Sequence, residues 1–154
     1  MNIRPAETSD AEQLSAIAQA AKSYWNYPAE WLEIWRPQLT ISPEIIRHSQ
    51  VFVLSEEIGS EPIGFYVLHL DPPAAQLEHL WIVPARIGSG CGKLLFRHAE
   101  TLAEQFGCTA IDIDAEPNAE DFYKKMGAVT IGHTESTLAG TIRRLPQMRL
   151  LLRD

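Results

Sequence analysis

Apolar residues first recur at helical spacing at Leu14, Ile17, Ala18 and Ala21, behind Ser9-Asp-Ala-Glu12, which has the form of a capping box. This predicts a helix ending near Lys22, preceded by a short strand at Asn2 to Pro5. Pro28 suits the first position of a second helix carrying Trp31, Leu32, Ile34 and Trp35, and Ser42-Pro43 opens another helical turn before Ile45 and Ile46. The period then changes. Val51 to Leu54 and Ile63 to Leu70, joined by the turn-forming Ile58-Gly-Ser-Glu-Pro62, predict an antiparallel hairpin. Asp71-Pro-Pro73 ends it, and Leu77 to Val83 reads as a third strand. From about Gly90 to Phe106 the period is helical again, with Leu94, Leu95, Ala99, Leu102, Ala103 and Phe106 as the apolar stripe and Gly107 as the stop. Strands follow at Thr109 to Asp114, Ala128 to His133 and Leu145 to Leu152, with a helix at Glu120 to Lys125. This order predicts an α+β fold without internal repeats.

Composition narrows the classes. The 154 residues suit one domain, residues 1–154, large enough to bury a core without staples. No apolar run approaches the roughly 20 residues of a bilayer span, and Met1 to Asp10 lacks the order of a signal peptide. A cytoplasmic location is the default expectation, with no membrane partner. A net charge of −7 argues against nucleic acid, which needs a dense basic face. Arg143, Arg144, Arg149 and Arg153 read as a solvated strand edge. Cys91 and Cys108 fall near opposite ends of one helix and should be free thiols. The five histidines are scattered, and no Cys/His cluster has metal-ligand spacing, so no metal is expected.

The chemistry concentrates in Trp81 to Leu95, where Gly88, Gly90 and Gly92 alternate between an apolar strand and an amphipathic helix. Such a loop lets backbone amides converge, and the helix behind it offers free donors and a partial positive charge. Together they bind phosphate or pyrophosphate. The P-loop spacing is not met, because Ile87 stands where a glycine is required and Leu94 where a Ser or Thr would hold magnesium. G-x-G-x-G also differs from the dinucleotide fingerprint. A plain Gly-rich turn without a ligand remains the alternative.

Leu80 to Leu95 resembles motif A of the GNAT superfamily of acyl-CoA N-acyltransferases: Ile82-Val-Pro84 supplies the strand end, and Gly90 and Gly92 the glycines. The family's Gln or Arg position holds Ile87, with Arg86 one residue early. Asp114 to Gly127 looks like the family's later motif, in a branch with a Pro-Asn-Ala start, and Ile3-Arg-Pro-Ala-Glu resembles its first strand. The resemblance implies a mixed, mostly antiparallel central sheet of about six to seven strands flanked by helices. It implies transfer of an acetyl group from acetyl-CoA to an amine by direct attack. Cofactor contacts fall to Ile82, Val83, Arg86, Ile87, Gly88, Ser89, Gly90, Cys91, Gly92, Lys93, Asn118 and Phe122.

Neutralising an alkyl amine at pH 7 costs about 5 kcal/mol, so a general base is needed. Glu78, between Leu77 and Leu80, is the candidate; burial there would make its carboxylate costly and raise its pKa. The alternatives are a partly exposed strand residue or an acceptor ligand. Gln76 shares its face, and His79 falls on the other face and reads as structural. The resemblance places Tyr123 near the CoA sulfur as the candidate acid. Asn118 caps the late helix and is implied to contact the pantetheine arm. Cys91 at a helix N-terminus raises an acyl-enzyme route, against the simpler reading of a small residue in a tight loop. Among the early aromatics, Trp31 and Trp35 read as core, and Trp25 and Tyr27 as acceptor contacts. The acceptor is not named by the sequence, and the oligomeric state, a homodimer included, is left open. A non-catalytic acyl-CoA-binding module or sensor and a nucleotide-phosphate binder are the other readings.

Overall fold

The computed structural model describes residues 1–152. Seven strands form one sheet: β1 (Asn2–Pro5), β2 (Gln50–Ser55), β3 (Pro62–Asp71), β4 (Ala74–Ile82), β5 (Ala110–Asp114), β6 (Val129–Leu138) and β7 (Thr141–Leu151), in the spatial order β1-β2-β3-β4-β5-β7-β6. All neighbours are antiparallel except β4 and β5. The helices are α1 (Ala11–Ser23), α2 (Ala29–Trp35), α3 (Pro43–His48), α4 (Cys91–Gln105) and α5 (Glu120–Lys125). The sequence-derived α+β sheet and its helices are therefore found, with two differences. The capping interaction lies earlier, where the Glu7 amide donates to Asp10 Oδ2 at 2.7 Å around a 3-10 turn that precedes α1. The last two strands are longer and form a hairpin whose turn places Ala139 and Gly140 at φ of 49° and 82°.

A core lies on each face of the sheet. On one face α4 packs Leu95, Phe96, Ala99 and Ala103 against Tyr66, Leu68, Ala75, Leu77 and Ile111. The buried stripe runs through Cys91, Leu95, Ala99 and Ala103, four residues apart, so Leu94 and Phe106 fall outside it and are exposed. On the other face Leu14, Ile17 and Ala18 of α1 pack with Trp35, Ile41, Val53, Phe65 and Val67. Both cores are apolar, and burial of each such side chain is worth about 1.5–3 kcal/mol.

Two irregularities in β4 create the site. Its parallel pairing with β5 covers only Ala74↔Ala110 to Leu77↔Ile113, while β4 continues to Ile82. The strands therefore part beyond Leu77. At the same point the register with β3 jumps from Leu68↔Leu77 to Val67↔His79, leaving Glu78 as an extra, bulged residue.

Candidate active site

The loop from Pro84 to Gly90 begins as a 3-10 turn over Pro84–Arg86, and Gly88 and Gly90 then take φ of 84° and 91°. Those angles favour glycine. Nothing lies within 4 Å of the Cβ that either would carry, so the requirement there is conformational rather than steric. Gly92 is different: its Cβ would meet the Phe122 ring at 3.2 Å. The amides of Gly88, Gly90, Cys91, Gly92 and Lys93 have no backbone acceptor among the described residues. They form a concave set of donors at the start of α4 that fits a pyrophosphate.

A cleft of about 460 Å³ leads from this cradle between the parted strands. Its lining includes Gly88, Gly90, Gly92 and Lys93 of the cradle, the apolar Leu80, Ile82, Ile113 and Phe122, and Glu78 and Tyr123. Tyr123 is buried, edge-on to Phe96 and Phe122. Burial pushes its phenol up, and the charge of Glu116 adds to the effect, so it stays protonated. The described residues thus join a set of free amide donors, an apolar-lined cleft and a protonated phenol.

The Acetyltransferase (GNAT) family model matches residues 12–128. The chain belongs to this family. A peptidyl-lysine N-acetyltransferase of Salmonella typhimurium, YjaB, is 39% identical over 75 residues, covering 49% of this chain and 48% of the relative. The match thus spans about half the length of that relative. An uncharacterized N-acetyltransferase of Bacillus subtilis, YhfO, is 27% identical over 136 residues, 82% of this chain and 89% of that one. Among solved structures, a GCN5-related N-acetyltransferase from Rhodopseudomonas palustris superposes with a TM-score of 0.79 at 23% identity, covering 98% of this chain and 95% of that one. The PaiA N-acetyltransferase of Thermoplasma acidophilum, in complex with coenzyme A, has a TM-score of 0.75 at 21% identity, over 97% and 98% of the two chains. At these identities the structures speak for the fold.

The residues of this GNAT chain singled out by sequence divide by whether they line the cleft. Trp25, Glu78, Ile82, Arg86, Ile87, Asn118, Phe122 and Tyr123 all line the cleft. Val83, Ser89 and Cys91 do not. The Val83 amide donates to the Ile63 carbonyl, the Ser89 hydroxyl donates to the Arg86 carbonyl, and Cys91 is buried in the core beneath α4. A thiol facing that core has no access to a thioester in the cleft. Arg86 pairs with Glu56, and Ile87 beside it is exposed.

Glu78 is less buried than its apolar neighbours suggest, because a bulged residue is pushed out of the ladder: its side chain is 43% exposed. The same bulge overturns the facing of His79. Ala75 and Leu77 point to the α4 core, but so do Leu80 and Ile82, and Trp81 points to the opposite core. His79 therefore turns to the α1 side together with Glu78, where Trp81 Nε1 donates to its Nδ1 at 2.9 Å. Burial pushes its pKa down; nearby Glu78 opposes this and His69 reinforces it.

The largest surprise is Glu116. It lies just past β5, lines the cleft, and is only 10% exposed. It pairs with Lys22, accepts from the Tyr27 hydroxyl, and accepts from Asn118 Nδ2 at 2.8 Å. Burial alone would raise its pKa, but Lys22 and these donors outweigh burial and hold it below the ordinary value. Asn118 consequently spends its amide on Glu116 and on the Tyr27 hydroxyl at 3.0 Å, and Ala119, not Asn118, stands at the N-cap of α5. Tyr27 is drawn into this network and away from the cleft. Lys22 lies 4.1 Å from the Trp35 ring centre, and burial pushes its pKa down despite Glu116. Arg143 is no solvated edge residue: it lies over Tyr27, Trp31 and Trp35, 4.9 Å from the Trp35 ring centre, and donates to the Tyr27 hydroxyl at 3.2 Å. Arg149 pairs with Asp112, and Arg153 lies outside the described residues. A Glu two residues before Asn118 was the available sequence signal, but nothing local announces partners 89 or 94 positions away.

Proposed function

We propose that the chain works as one GNAT-type acetyltransferase domain, residues 1–154, moving an acetyl group from acetyl-CoA to a primary amine by direct attack. The observation that carries this is the continuity of the cleft from five unpaired amides to a buried, protonated tyrosine. In this reading the amides of Gly88 to Lys93 hold the pyrophosphate. Leu80, Ile82 and Phe122 exclude water around the pantetheine arm. Glu78 takes a proton from the amine, and Tyr123 supplies one to the departing thiolate. Trp25 faces the acceptor. Likeness to a peptidyl-lysine N-acetyltransferase makes lysine side chains of peptides the first acceptors to assay, before free amines.

Single-turnover acetyl transfer with Tyr123→Phe tests the assignment. The variant keeps the ring and loses the hydroxyl, so the rate should fall by about 10²–10⁴-fold while affinity for acetyl-CoA is retained. Transfer at the parent rate would make Tyr123 structural. Acetyl-CoA binding by the parent without turnover on any amine would leave a binding module.

A further inference from the structure

Two of the five histidines that look scattered in sequence, His69 and His79, converge on Glu78. His69 Nε2 hydrogen-bonds Glu78 Oε2, and His79 Nε2 lies 3.9 Å from Glu78 Oε1. The bulge is what lets His79 and Glu78 share a face, and strand pairing sets His69 opposite Gln76 on that face. The two imidazoles are not equivalent. His79 is buried, and its Nδ1 already accepts from Trp81, so in the neutral ring the proton sits on Nε2, the atom that faces Glu78. It has no free lone pair toward the carboxyl. His69 is 40% exposed, and its Nδ1 lies 3.1 Å from Ser49 Oγ. A hydroxyl can donate or accept, so Ser49 satisfies His69 in either tautomer and in the protonated form.

We propose that His69 is the proton exit of this site: a positioning residue that holds Glu78 toward the cleft and passes its proton to solvent. The proposal rests on the reading of Glu78 as the base. An ammonium becoming an amide loses two protons from nitrogen as the C–N bond forms and the C–S bond breaks. One balances the thiol, by restoring the phenol that protonated the thiolate. The other must reach water. From Glu78 it passes to His69 Nε2, which accepts it in the Nδ1–H tautomer; the imidazolium gives a proton to the solvent that reaches this ring, and proton exchange with that solvent restores the Nδ1–H tautomer beside Ser49 for the next turnover. Glu78 then returns to its charged, accepting form for the next turnover. Among the described residues, Ser49, Glu78, Gln76 and His79 are set against His69, and the carboxylate of this group is the one whose proton it receives.

His69→Gln keeps a donor to Glu78 but carries no proton, and His69→Asn serves as a second variant should the first fail to fold. Multiple-turnover transfer should slow by about tenfold or more, while the first turnover and acetyl-CoA affinity stay close to the parent's. The imidazole limb of the pH–rate profile should vanish, and added imidazole should restore rate to the variant but not to the parent. A parent-like rate and profile would overturn the relay, as would a slow variant with an unchanged profile and no rescue by imidazole. Glu78→Gln separates the two levels. If it is inactive while His69→Gln is parent-like, the relay alone falls; if Glu78→Gln keeps the parent rate, the base falls with it.

Discussion

The two ends of the cleft are built from opposite kinds of sequence. The cradle is a run of consecutive residues, Gly88 to Lys93, whose donors follow from two left-handed glycines and the start of one helix. The opposite end joins Lys22, Tyr27, Glu116, Asn118 and Arg143 through contacts spanning 89 to 116 positions. The first end depends on backbone conformation and tolerates water. The second depends on buried charge, where each partner is needed to offset the desolvation of another. Damage to the cradle should therefore cost ligand affinity, and damage to the network should cost the fold.

The largest effect should come from Glu116→Ala. It strands the Lys22 ammonium in a site walled by aromatic rings, and breaking a buried pair in this way costs about 3–5 kcal/mol. Thermal unfolding should show a fall of roughly 10 °C. Lys22→Met in the same chain should recover much of it, since the stranded charge is then gone. The pH dependence has a defined sign. The folded-state pKa of Glu116 lies below its ordinary 4.5, so its contribution is present above that value and is lost as pH falls through the folded-state value. Stability of the parent should drop over that acid range more steeply than that of Glu116→Gln. Equal stability of parent and Glu116→Ala would erase the contrast between the two ends.

A smaller loss should follow Gly90→Val. At φ of 91° a β-branched residue is strained, and the loop must change shape to relieve it. Affinity for CoA, measured by calorimetry, should fall at least tenfold, about 1.4 kcal/mol, with a melting point close to the parent's. A folded variant with undiminished affinity would place the pyrophosphate elsewhere. The smallest effect belongs to Glu56→Gln, which releases Arg86 from a half-exposed pair. Stability should change by less than about 0.5 kcal/mol. Any gain in CoA affinity would show that Arg86, one residue before Ile87, reaches the cofactor when freed; no gain would leave the cradle to its amides.

The same division decides what the sequence reveals. The turn residues, the glycine loop and the order of strands and helices are local, and α5 is found at its expected bounds. The stripe of α4 is misplaced by Leu94 and Phe106, because apolar residues beside a stripe look like members of it. The β6–β7 hairpin is underestimated because Thr134 to Thr137 is polar on both faces, which gives period-2 alternation nothing to show. Glu78 is recognised, but its exposure and the turning of His79 depend on one unpaired residue in the ladder with β3. Glu116 and Arg143 are invisible in principle: an acid before a helix and a basic residue on a strand acquire meaning only when α1 brings Lys22, and Tyr27 and α2 bring their aromatic rings, beside them.

The bulge in β4 gives the strand a parity that only one residue disturbs. Without Glu78, the order Ala75, Gln76, Leu77, His79, Leu80, Trp81, Ile82 alternates perfectly between the two cores, and its pairing with β3 runs on unbroken. Removing His79 instead would let Glu78 fill its place in the ladder, but removing a residue farther along the strand sends those between it and the bulge to the wrong face. Glu78 is thus supernumerary to the architecture. The ladder neither needs it nor packs it, and so the carboxyl proposed as the base occupies a position that could be gained or lost while both cores keep their members.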